Sequence, residues 1–292
     1  MDRLDLQVGP GEGRVRLDEY LAARVPALSR MRLRQMLDQG EVRVNGAVCP
    51  AGCRLAVGDA VTLALDPAST TAMTPEPIPL VVYHEDAALI VVEKPAGLVV
   101  HPAGRHRSGT LANALAHHFN VVGAADPPIR PGLAHRLDRA TSGLMVVAKT
   151  QAALSQLTVA FQRRQVEKRY LALVHGDPGA ETGEWSAPIG QDPEAHPRWG
   201  IRPEGRAALT RFRRLAGRDA CTLLELEPVT GRTNQLRLHA AHFGCPIVGD
   251  ELFGRGPEPG VTRLHLHAAR LAFPHPTTRE WVCFTSPAEF GL

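Results

Sequence analysis

The stretch HRLDRATSGLMVVAKT, residues 135–150, changes character halfway. Its first half is polar: Asp138 stands between Arg136 and Arg139, and Thr141, Ser142 and Gly143 follow. Its second half, LMVVA, is a continuous apolar run of the kind that makes a buried strand. One reading is a turn feeding that strand, with Asp138 bonding locally to Thr141 and Ser142. The other is a working carboxylate. An arginine beside an aspartate lowers its pKa and keeps it ionised, and an ionised aspartate is a competent nucleophile toward electrophilic carbon. Spacing alone leaves both open.

Downstream, AALSQLTVAFQRR (152–164) carries Leu154, Leu157 and Phe161 on one helical stripe. KRYLALVHG (168–176) and CTLLELEPV (221–229) read as strands, and TNQLRLHAAHFG (233–244) as a helix with Leu236, Ala240 and Phe243 on one side. RLHLHAARLAF (263–273) and REWVCF (279–284) form a hairpin around PHPTT. Upstream, LVVYHEDAALIVVEKPAG (80–97) is two strands about a Glu85-Asp86 turn, and SGTLANALAHHF (108–119) is a helix. Strands and helices mix without strict βαβ alternation, which predicts an α+β domain. Residues 67–79, rich in Pro, Ser and Thr and free of basic residues, read as a linker. Before them, residues 14–66 hold two short helices, the second capped by Ser29, then a hairpin at Asn45-Gly46 and a last strand. The expected organisation is a small module at 14–66, a linker at 67–79 and a larger domain at 80–292.

The 292 residues leave room for two cores, and 44 % apolar with 22 % charged residues is ordinary for a soluble globular chain. No apolar run of about 18 residues is present, and the N-terminus lacks a secretory pattern. A cytoplasmic monomer without membrane contact is expected. Five cysteines in a long chain fit reduced thiols better than a disulfide framework. The CPAGC pair lacks a second pair at metal-ligand spacing. There is no phosphate-loop or dinucleotide glycine signature, no H-E-x-x-H and no G-x-S-x-G, so a reading without metal or cofactor is preferred.

The net charge of +3 says little, but its distribution says more. Residues 24–54 hold Arg24, Arg30, Arg32, Arg34, Arg43 and Arg54 against Asp38 and Glu41, a local net of +4. Residues 197–214 hold Arg198, Arg202, Arg206, Arg211, Arg213 and Arg214 against Glu204, a local net of +5. Each cluster is either a grip on phosphates or a solvated basic face. Against 30 arginines stand three lysines, Lys94, Lys149 and Lys168, which suggests specific needs at those positions. Tyr170, beside Lys168 and Arg169, is placed to stack on a nucleobase or to fill the core. Arg237, about a quarter turn from its helix's apolar stripe, points into a cleft or into solvent.

Taken together, these stretches resemble the RluA-type pseudouridine synthases over roughly residues 80–287. VVEKPAGLVVHP (91–102) is similar to the family's opening motif, and HRLDRATSGLMVVAKT to the motif whose Arg-Leu-Asp carries the essential aspartate. EKRYLALVHG (167–176) resembles the segment with the active-site tyrosine. TGRTNQLRLHAAHFGCPIVGDELFG (230–254) resembles the motif with an active-site arginine, and RLHLHAARLAFPHP (263–276) the closing segment. The resemblance implies a mixed, largely antiparallel catalytic sheet and the isomerisation of uridine to pseudouridine in RNA.

Under it Asp138 is the catalytic aspartate and Tyr170 stacks on the base and accepts a proton. Arg237 pairs with Asp138, and Arg136 helps hold the uridine out of its helix. Three positions depart from the family pattern: Asn234 and Cys245 where His is usual, and Glu93 where Asn or Asp is usual.

The first module, through RLDEYLA, SRMRLRQMLDQGEVRVNG and LAVGDAVTL, resembles a small α/β RNA-binding module of a small-subunit ribosomal protein. That implies RNA contacts at Arg30, Arg32, Arg34, Arg43 and Asn45, joined by Lys168, and favours ribosomal RNA, the large-subunit RNA first, over transfer RNA. A different class remains: an RNA-binding assembly factor with little or no catalysis.

Overall fold

The structure is a computed structural model that describes residues 2–25, 28, 30–65, 74–102, 108–124, 129–191, 194, 199–218 and 220–290, apart from the side chains of Asp2, Arg30, Met31 and Leu65. Ser29, Arg198 and residues 67–73 of the expected linker lie outside the described residues. The chain divides into two compact units: residues 1–76 with 116–130, and residues 77–115 with 131–292.

In the first unit, β1 (Asp2–Gln7), α1 (Leu17–Arg24), α2 (Arg30–Asp38), β2 (Val42–Val44), β3 (Ala47–Val48) and β4 (Ala60–Leu65) follow in order. The sheet runs β1-β4-β2-β3, with every pairing antiparallel. Strand β1 lies ahead of residue 14 and pairs with β4 from Asp2↔Leu65 to Gln7↔Ala60. The β2–β3 turn has Asn45 at φ 49° and Gly46 at φ 81°, the two left-handed residues that a tight hairpin demands. Leu17 and Leu21 of α1, Leu33 and Met36 of α2, and Val42, Val61 and Leu63 of the sheet close one apolar core.

The second unit contains β5 (Val81–Glu85), β6 (Leu89–Lys94), the start of α3 (Leu111–His117), β7 (Gly132–Leu133), β8 (Ser142–Ala148), α4 (Gln151–Gln162), β9 (Glu167–His175), β10 (Thr182–Ser186), β11 (Ile189–Gln191), β12 (Trp199–Ile201), β13 (Leu209–Arg218), β14 (Cys221–Pro228), α5 (Gln235–His242), β15 (Leu266–Pro274) and β16 (Trp281–Thr285). The large sheet runs β10-β13-β14-β9-β15-β8-β6-β5, with β16 beside β15 and β7 beside β8. Its pairings are antiparallel except β8 with β15. This is the mixed, largely antiparallel α+β architecture that the resemblance implies. Among the described residues no helix is long and apolar enough to cross a membrane.

Two features of this sheet position the site. Strand β8 is buried along its whole length, as the LMVVA run requires. Its parallel pairing aligns Ser142 with His267 and Gly143 with Ala268. Gly143 has φ 115°, and a Cβ there would lie 2.4 Å from the Ala268 carbonyl oxygen, so glycine alone permits this approach. Strand β9 then sets Tyr170 opposite Ala268 on one side and Leu226 on the other. Gly143, Ala268 and Tyr170 thus form one row across the sheet, and the turn bearing Asp138 leads into β8 just ahead of that row.

In the basic stretch 197–214, which the sequence left open between a phosphate grip and a solvated face, three arginines are ion-paired. Arg211 meets Glu184 at 2.9 Å, Arg213 meets Glu225 at 2.9 Å, and Arg214 meets Asp177 and Glu181 at 3.2 Å each. Strand pairing brings these acids alongside β13 from β10, β14 and the loop before β10, and they offset much of the local charge.

Candidate active site

Asp138 opens the turn into β8, its carbonyl accepting from the Thr141 amide at 3.1 Å. The turn is held from behind by Lys94 at the end of β6. Lys94 is fully buried, and its Nζ donates to the carbonyls of Pro95 at 2.8 Å, Leu98 at 2.9 Å and Arg139 at 3.2 Å. Burial draws its pKa down to about 7, against the upward pull of Asp138. Three carbonyl acceptors need three N–H donors, which only the ammonium form supplies. The Arg139 carbonyl also accepts from the Gly97 amide at 2.8 Å.

Ser142 has more than the plain turn role that its sequence suggests. Its Oγ meets His267 Nδ1 at 2.8 Å and the Arg263 guanidinium, and His267 Nε2 meets Ser286 Oγ at 3.0 Å. Ser286 in turn donates to Glu93, which also accepts from the Tyr83 hydroxyl at 2.8 Å. Glu93, a departure from the family pattern, therefore ends a hydrogen-bonded chain that reaches the residue starting β8. Thr141 is buried, and its hydroxyl has no partner among the described residues.

Burial raises the Asp138 carboxyl pKa, and Arg237, Arg136 and Lys94 pull it back down. Arg237 acts here through space. Its guanidinium is clamped by Asp250, Nε to Oδ2 at 2.8 Å and Nη2 to Oδ1 at 2.6 Å. It also lies over the Phe253 ring at 4.9 Å. The direct Arg237–Asp138 pair implied by the resemblance is thus replaced by an Arg237–Asp250 pair, because Asp250 follows α5 closely enough to take both ends of the fork. Asp250 also slightly raises Asp138.

Tyr170 shares a cavity of about 750 Å³ with Asp138, Thr141, Arg136 and Lys168. Burial, reinforced by the Asp138 charge, raises its phenol pKa. The hydroxyl therefore stays protonated at neutral pH, which opposes the proton-acceptor role and leaves the stacking role. Burial lowers the Lys168 pKa while Glu227 raises it.

The residues assigned to RNA in the first unit separate into two groups. Arg32 meets Glu41 at 3.2 Å. The Asn45 amide is held within the turn, donating to Asp59 at 2.9 Å and accepting from the Ala60 amide at 2.9 Å. Arg34 is exposed, and Arg43 is exposed with one Nη on the Gly46 carbonyl at 3.0 Å. The side chain of Arg30 lies outside the described residues.

The chain matches known proteins in sequence and in fold. Residues 88–242 match the family model described as RNA pseudouridylate synthase, and residues 15–61 match the S4 domain. An RNA pseudouridine synthase of Chloroflexus aurantiacus is 42 % identical, over 98 % of this chain and 90 % of its own length. The ribosomal large subunit pseudouridine synthase D of Escherichia coli strain K12 is 36 % identical, over 91 % of this chain and 86 % of its own. The solved structure of human RNA pseudouridylate synthase domain containing 1 superposes with TM-score 0.59 at 30 % identity, covering 74 % of this chain and 86 % of that one. With the matched model spanning more than half of its residues, the chain belongs to the RNA pseudouridylate synthase family.

Proposed function

We propose that Asp138 is the catalytic carboxylate of this pseudouridine synthase and that its substrate is large-subunit ribosomal RNA. The observation that carries the first part is the meeting, in one cavity, of Asp138, Arg136 and Tyr170, with Arg237 and Lys94 offsetting the carboxylate from outside it. The second part rests on the S4 module and on the E. coli relative whose name specifies the large ribosomal subunit.

The reaction breaks the N1–C1′ bond, turns the uracil and joins C5 to C1′. N1 gains a proton and C5 loses one, so nothing is oxidised or reduced. The base must first leave its stack, which costs a few kcal/mol and is offset by stacking and phosphate contacts. In this reading the target uracil lies on Tyr170, and Arg136 and Lys168 meet the backbone at the mouth. Asp138, kept ionised by Arg237, Arg136 and Lys94, attacks the target nucleoside or assists departure of its base. The cavity then holds the free uracil while it turns. The partnerless Thr141 hydroxyl supplies a hydrogen bond to the substrate.

Replacing Asp138 by Asn tests the assignment. RNA from cells whose only copy is Asp138→Asn should lack the pseudouridines that the wild-type gene provides, while the purified variant still binds that RNA. Persistence of the modification would show that Asp138 is not the catalytic group. Modification sites found in transfer RNA alone would move the substrate and leave the catalytic assignment standing.

A further inference from the structure

Asp138 borders a second cavity, of about 770 Å³, which Tyr170 does not line. The two cavities share Arg136, Asp138 and Thr233 as a dividing rim. Trp199 lines the second one and packs against Ile189, Ala208 and Leu238, so its indole is braced. Arg136 is exposed and makes no hydrogen bond to a described residue. Arg139 is fixed by its Nε on the Gly97 carbonyl at 3.1 Å, and its Nη groups make no such bond. The same cavity is lined by Glu251, exposed, and by Glu258, committed to His175 at 2.8 Å. Asn234, at the start of α5 with φ 55°, adds an amide to the same wall.

We infer that this second cavity binds the nucleotide adjacent to the target uridine, with its base stacked on Trp199 and the intervening phosphate on Arg136. The inference rests on the reading of the first cavity as the uridine site. Successive nucleotides are joined through one phosphate, and an uncommitted guanidinium on the shared rim is where that phosphate passes. Arg237 and Arg263, which also line the cavity, are held by Asp250 and Glu289, so the phosphate falls to Arg136 and Arg139. A braced indole stacks on any base, and the carboxylate of Glu251 and the amide of Asn234 meet exocyclic groups at its edge. The site thus takes a nucleobase by stacking first and by its edge second.

The test uses a short RNA hairpin spanning a uridine that the enzyme modifies in RNA from a gene-deleted strain. Three versions are made: complete, and with an abasic residue immediately 5′ or 3′ of that uridine. Release of tritium from C5 of the target gives kcat/KM for the wild-type, Trp199→Ala and Trp199→Phe enzymes. One abasic hairpin should react roughly 10-fold more slowly with the wild type. Trp199→Ala should cost a similar factor on the complete hairpin, Trp199→Phe should cost less, and Trp199→Ala should be indifferent to the missing base. Wild-type rates equal on all three hairpins would overturn the inference, and that comparison holds even where Trp199→Ala misfolds. Losses that multiply instead of overlapping would overturn it too. No tritium release from any hairpin would remove the uridine-site reading and this inference with it, an outcome distinct from release that ignores the neighbouring base.

Discussion

Asp138 is a carboxylate whose environment works against its own charge. Burial is the largest influence on it and favours the protonated acid, and Arg237, Arg136 and Lys94 recover only part of that cost. The pKa in the folded protein therefore lies above the ordinary 3.8. Between those two values the folded chain holds a proton that the unfolded chain has released, so stability falls as pH rises through that window. Above it the charged carboxylate is a net cost to the fold, which is the usual condition of a group kept for chemistry. Two results follow for Asp138→Asn. Its melting temperature should exceed that of the wild type at pH 7, and the difference should close as pH is lowered to 4 and below, in thermal unfolding at a series of pH values. A variant less stable than the wild type at pH 7 would mean that the three cations over-compensate burial. With the ionised Asp138 proposed as the working form, kcat/KM of the wild type should start to fall with acid at a pH above the ordinary carboxylate range.

The element that delivers this residue is the turn into β8, and its geometry depends on one glycine. Ala at 143 would meet the β15 backbone at Ala268 and would also have to hold φ 115°. Gly143→Ala should lose about 2–3 kcal/mol in urea unfolding and most of its activity, since relief requires β8 to move from β15 and Asp138 to move with it. Gly97→Ala is the control. Its φ of 86° carries strain, but no atom lies within 4 Å of the added Cβ, so about 1 kcal/mol is expected. Equal losses in the two would show that close approach to β15 is unimportant. The same elements show what a sequence discloses. The LMVVA strand, the helix at 152–164 and the Asn45-Gly46 hairpin are legible because period and turn chemistry are local. The cation near Asp138 was legible as Arg237, but its clamp by Asp250 was not, since both ends of a fork closing on one carboxylate is a matter of loop geometry. Ser142 read as a plain turn residue because its partner His267 is 125 positions away, joined to it only by the parallel β8–β15 pairing. Whether Arg211, Arg213 and Arg214 grip phosphates stayed open for the same reason: their acids come from other strands and from the loop before β10.

At the scale of the whole molecule the net charge of +3 is too small to attract RNA strongly, so binding must depend on which cations remain uncommitted. Strand pairing answers those on β13, and Glu41 answers Arg32. Arg34 and Arg43 remain exposed on the S4 module, and Arg136 and Lys168 border the cavity proposed for the target uridine. Two binding surfaces in one chain act as tethered sites: the first to engage raises the effective concentration of the second. Losing the module's phosphate contacts should therefore weaken RNA binding and raise KM while leaving kcat, which depends on the Asp138 cavity, almost unchanged. Each phosphate contact removed lowers the slope of log Kd against log salt by roughly 1. The double variant Arg34→Ala/Arg43→Ala should flatten that slope by roughly 2 units for an RNA the enzyme modifies, measured by filter binding between 50 and 300 mM salt. Arg32→Ala, whose charge Glu41 already offsets, should change it less. If the Arg32 variant flattens the slope as much as the double variant does, the RNA breaks the Arg32–Glu41 pair on binding, and the exposed face of the module alone does not account for its grip.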